Sequence, residues 1–115
     1  MGRDFSIGNV ESTVKPVSYI MFKILKEFGY FKNKKDHDRI KMRDLAGAIY
    51  NLDYLIKLNP TTEDSKKELI KQLGFYDSDT FEGVMEHIKT ACEKLTECLV
   101  YEVMCGSKFV IADYT

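Results

Sequence analysis

Four glutamates, Glu82, Glu86, Glu93 and Glu97, stand at offsets of 0, 4, 11 and 15 residues. On a helix turning about 100° per residue these offsets fall close to one face, distinct from the apolar positions between them. Like charges one turn apart repel by roughly a few tenths of a kcal/mol on an exposed helix. A cationic ligand or protein surface laid on this row would relieve that repulsion. Helical di-metal centres take Glu-x-x-His pairs from facing helices, and this chain has none. His87 directly follows Glu86, which sends the two side chains about 100° apart. The four glutamates are therefore read as protein-contact candidates, and no metal is expected.

Positive charge is concentrated earlier. Lys32, Lys34, Lys35, Arg39, Lys41 and Arg43 stand against Asp36 and Asp38, a balance of +4 over residues 32–43. Tyr30 and Phe31 precede them, and cations beside aromatic rings are suited to phosphate contact and base stacking. These six are nucleic-acid-contact candidates. Residues 77–102 hold seven Asp/Glu against Lys89 and Lys94, a balance of −5. Blocks of opposite sign can face each other within one molecule or pair between molecules.

Two smaller clusters carry less. Asp36-His37-Asp38 alternates oxygen ligands in the manner of a calcium loop. The glycine at position six and the closing glutamate are missing, and lysines on both sides repel divalent cations. His37 reads as a surface histidine. Cys92, Cys98 and Cys105 are spaced by six and seven residues, which matches no zinc knuckle or redox pair. Cys92 falls on an apolar stripe and reads as a core residue; Cys98 and Cys105 share a side if the helix persists. The chain lacks a phosphate loop, a dinucleotide fingerprint and a nucleophile elbow. Neither a catalytic residue nor a cofactor is expected.

The elements that position these groups read as mostly helical. Residues 3–13 permit a short strand or extended arm. Val17, Ile20, Met21, Ile24, Leu25 and Phe28 recur at helical spacing after Pro16, with Gly29 as the stop and Tyr30 folding back on the last turn. A second helix is expected from about Ile40 to Leu58, with Asp38 as a possible cap and Gly47 inside. Asn59-Pro60 breaks it. Thr61 or Thr62 caps a third helix carrying Leu69, Ile70 and Leu73, which Gly74 ends. Asp77 or Ser78 caps a fourth running to about Met104, with Phe81, Val84, Met85, Ile88, Cys92, Leu95, Leu99 and Val103 as its stripe. Gly106 stops it, and Lys108–Tyr114 reads as a terminal strand that can pair with the N-terminal arm. Ile24–Phe31 is echoed 45 residues later by Leu69–Tyr76, which is explained by shared cap chemistry better than by a repeat.

Size and composition fit this outline. A chain of 115 residues with 44% hydrophobic residues can close one core as a single domain over residues 1–115. The net charge of −1 marks neither a strongly basic nor a strongly acidic protein. An odd number of cysteines without a leader is unlike a disulfide framework and points to a cytoplasmic setting. Gly2 and Ser6 give a short match to a myristoylation signal. No apolar run approaches the 18 residues of a membrane helix, and no membrane partner is expected.

The resulting expectation is a mainly α domain, a compact four-helix bundle with short terminal extended segments. Its expected role is that of a noncatalytic protein-binding or regulatory module using charged helical surfaces, with self-association open and Tyr54, Tyr76 and Tyr101 as possible anchors. The alternative is a small nucleic-acid-binding regulator using residues 32–43.

Overall fold

The computed structural model describes residues 3–27, 37–58, 60–72 and 80–115. Near its start, Phe5, Ile7 and Val10 alternate with polar neighbours and build a hairpin. Strand β1 (Phe5–Ile7) pairs antiparallel with β2 (Val10–Ser12), with Ile7 opposite Val10. The two-residue Gly8-Asn9 link needs the left-handed backbone that Gly8 adopts at φ +56°. Space also demands glycine there: a Cβ would stand 2.8 Å from Glu102 Oε1 and 2.9 Å from Val110 Cγ2.

Helix α1 (Lys15–Lys26) follows, with Pro16 in its first turn. It is succeeded by β3 (His37–Lys41), α2 (Met42–Leu58), α3 (Glu63–Gln72), α4 (Phe81–Met104) and β4 (Phe109–Tyr114). The last strand lies in the middle of the sheet. β4 pairs antiparallel with β1 on one side and β3 on the other, giving the order β2-β1-β4-β3. One sheet face carries Phe5, Ile7, Ile40, Val110, Ala112 and Tyr114 into a core shared with Met21, Leu25, Leu45, Leu52, Ile88 and Leu95. Tyr114 also stacks on Phe22 with ring centres 4.3 Å apart. Removing these large apolar side chains from water is the main favourable term in the fold.

The expectation of a mainly α, all-alpha-type four-helix bundle is therefore corrected: among the described residues, four helices pack with a four-stranded antiparallel sheet in a mixed α/β fold. The error centres on residues 37–41. Ile40 and Met42 continue the apolar spacing of the following helix, so the sequence reads as helix from Ile40 onward. In the structure Ile40 is a fully buried strand residue opposite Val110, and the helix starts at Met42. Asp38 lies in β3 and caps nothing; its Oδ1 instead accepts a hydrogen bond from the Arg39 backbone N–H at 2.7 Å.

Helix ends follow local chemistry. Thr62 Oγ1 accepts from Ser65 N–H at 3.1 Å at the start of α3. Thr80 caps α4, its Oγ1 accepting from Gly83 N–H at 3.1 Å. At the other end Gly106 takes φ +73°, its N–H reaches Val103 O, and Ser107 N–H reaches Glu102 O, both at 3.0 Å. That crossed pair closes the helix through a left-handed residue. Gly29, Tyr30, Gly74, Asp77 and Ser78, and with them the two echoed glycine stops, lie outside the described residues.

Candidate functional site

The core-facing row of α4 is Val84, Ile88, Ala91, Leu95 and Cys98. Glu82, Glu86, Glu93 and Glu97 occupy the opposite row, and all four are exposed. The same angular step carries that row onward to Val100 and Met104. Val100 is 54% exposed and Met104 83% exposed. A run of carboxylates therefore ends in an apolar tip, flanked by the exposed Tyr101 and Val103. Lys89 stands 3.8 Å from Glu86; among the described residues, Glu82, Glu93 and Glu97 have no ion-pair partner.

The basic candidates are separated by the fold. Lys32, Lys34 and Lys35 lie outside the described residues, as do Tyr30, Phe31 and Tyr76. Arg43 sits in the first turn of α2, exposed, with Asp44 at 3.9 Å. Arg39 and Lys41 lie on β3, where alternation turns Ile40 inward and these two outward. Their cross-strand neighbours are Ile111 and Phe109 respectively. The Arg39 guanidinium lies 4.7 Å from the Phe109 ring centre, a cation–π distance that holds the side chain over the sheet. The outward sheet face thus has a basic column beside an apolar one.

Sequence reasoning missed Phe109, Ile111, Val100 and Met104 as surface residues. For Phe109 and Ile111 a signal existed: Phe109–Ala112 is an unbroken apolar run, so in a strand half of it must face away from the core. Tyr50, Tyr54 and Leu58 form another exposed row on α2 at steps of four. Beside them Lys57 pairs with Asp53 at 2.8 Å, and that hydrogen bond and charge raise the Lys57 pKa.

The cysteines also sort differently from expectation. Cys98, not Cys92, is fully buried, and burial pushes its thiol up to about 11. Cys92 is half-buried, its Sγ 4.0 Å from Ile49 O, and burial raises its thiol too. Cys105, the exposed C-cap residue of α4, keeps helical backbone with its N–H on Tyr101 O, so it follows Cys98 along one side of the helix but outside the core. A hydrogen bond with Cys105 raises the Tyr101 phenol.

Among the described residues, two open clefts flank α3. One, of about 500 Å³, is lined by Leu58, Pro60, Asp64, Glu68 and Leu69 among others; the second, of about 200 Å³, lies among Ile24, Asn51, Tyr54 and Gln72. The charged groups of the larger cleft, Asp64 and Glu68, both come from one exposed helix. Among the described residues, no group of three or more His, Cys, Asp or Glu is placed to hold a metal ion. No helix among them is long and apolar enough to cross a membrane. No protein-family model matches the sequence, and no curated protein or solved structure shows detectable similarity to it.

Proposed function

We propose that the chain is a noncatalytic protein-binding module whose contact surface is the outward row of α4. The observation that carries this reading is the continuity of Glu82, Glu86, Glu93 and Glu97 with exposed Val100 and Met104. Carboxylates steer and orient a basic partner, whereas an exposed methionine and valine gain by leaving water. Long apolar side chains standing together on a surface mark interaction sites more often than lone ones do. Three free thiols, one of them exposed, favour a cytoplasmic setting for this module.

The test uses the full chain purified from its native host, with bound protein and nucleic acid identified by mass spectrometry. A discrete complex weakened by E86K/E93K supports the reading. A complex that persists unchanged in that variant removes this face. A second reading, nucleic-acid binding through residues 32–43, is favoured by one observation: Arg39 and Lys41 share an exposed sheet face with Phe109. It predicts salt-sensitive retention on DNA or RNA.

A further inference from the structure

The outward sheet face and the outward row of α4 have matching composition and opposite charge. On the sheet, Arg39 and Lys41 form one column, and Ile111 and Phe109 form the next. On α4, Glu93 and Glu97 lead into Val100 and Met104. These surfaces cannot cover each other within one molecule. Each belongs to an element whose other side is already in the common core: Ile40 and Val110 for the sheet, Ile88 and Leu95 for the helix. Among the described residues no ion pair joins Arg39 or Lys41 to any of these glutamates.

We infer that the sheet face docks the α4 row of a second copy of this chain. This rests on the proposed protein-binding role of α4 and names its partner. The spacings agree. Neighbouring strands are about 4.8 Å apart, so a helix laid across them steps from the basic column to the apolar one over that distance. Along α4 the step from Glu97 to Val100 is about 4.5 Å. Glu97 then meets the column of Arg39 and Lys41, while Val100 meets that of Ile111 and Phe109. A polyanion fits this face less well. Asp113 stands on the same outward side of β4, two residues from Ile111, and a nucleic-acid backbone brings only negative charge to it. A helix offering carboxylates and an apolar tip uses both columns. The contact is head-to-tail: one copy of a pair retains a free helix row and the other a free sheet face, so further copies can add, as a ring or a filament according to the rotation between neighbours.

Analytical ultracentrifugation of the full chain tests this with two charge-reversed variants, R39E/K41E on the sheet and E93K/E97K on the helix. The wild type should gain average mass with concentration, and added salt should reverse the gain. Each variant alone should be monomeric, with association weakened about tenfold or more. Their equimolar mixture should associate again, because the intact sheet face of one meets the intact helix row of the other and the two reversed faces are themselves complementary. Circular dichroism checks folding, and R39Q/K41Q and E93Q/E97Q replace any variant that fails to fold. A wild type that stays monomeric overturns the inference, as does a single-face variant that still associates, or a mixture that stays monomeric. A monomeric wild type that binds another protein through α4 overturns the self-association and leaves the protein-binding role standing. A monomer that retains single-stranded DNA or RNA, and loses it in R39E/K41E, overturns it in favour of nucleic acid.

Discussion

Replacing Gly8 with alanine separates two costs that usually arrive together. Gly106 provides the reference. At φ +73° with nothing within 4 Å of an added Cβ, G106A bears only the left-handed backbone penalty, about 1 kcal/mol. Gly8 has a similar backbone at φ +56°, but its Cβ meets Glu102 Oε1 at 2.8 Å, Val110 Cγ2 at 2.9 Å and Cys98 Sγ at 3.2 Å. Glu102 can swing aside, at the expense of the 2.6 Å hydrogen bond its Oε2 accepts from Ser107. Val110 and Cys98 are buried and cannot move without disturbing the core. Overpacking of this kind adds about 1–3 kcal/mol, so G8A should cost about 2–4 kcal/mol in total. Urea denaturation followed by circular dichroism measures both variants. V110A removes the obstructing Cγ2, so G8A/V110A should be less destabilised than the sum of its parts by about 1 kcal/mol. A G8A cost no greater than that of G106A, or additivity of G8A and V110A, would refute the clash at Gly8.

Other perturbations probe the helix cap, the core and the thiols. T80A removes the oxygen that holds Gly83 N–H and should destabilise the fold by about 1 kcal/mol in the same denaturation assay. L95A empties a fully buried site on α4 and should cost about 2–5 kcal/mol; a smaller loss would show that the helices close over the cavity. Because burial raises Cys98 from 9.0 to about 11, the folded state keeps this proton longer than the unfolded chain does. Its stability contribution is whole below pH 9 and falls as pH rises from about 9 to 11. Thermal melts across that window should show the decline, and C98A should make it shallower. With a thiol reagent in native buffer, Cys105 should react at once and Cys98 only as the protein unfolds.

How much of this was readable from residues alone depends on how many side chains each element buries. Helices α1 and α4 bury long rows at 3.6-residue spacing, and their repetition announces them. β3 has one fully buried apolar residue, Ile40, among charged neighbours, and that residue also fits the phase of the next helix. A single apolar position cannot distinguish a period of 2 from a period of 3.6, so the strand was invisible and the sheet lost its third partner. The hairpin left a fainter trace, the Gly8-Asn9 pair between apolar residues. The acidic row of α4 was legible because it needs only helical phase. The arrangement of Arg39 and Lys41 beside Ile111 and Phe109 was not, because it depends on pairing between residues some 70 positions apart.

The central position of β4 governs when this fold can exist at all. β1 and β3 have no contact in the sheet except through β4, which pairs Phe5 with Tyr114 and Lys41 with Phe109. During synthesis the hairpin emerges first and β3 follows α1, and each waits with an open strand edge while α2, α3 and α4 are made. Only the arrival of residues 109–114 joins them and covers the core, a long-range closure of the kind that slows folding. The interval before it is when such edges can pair with those of other nascent chains. A ribosome stalled between α4 and β4 would therefore carry a chain with its helices complete and its sheet still in two pieces.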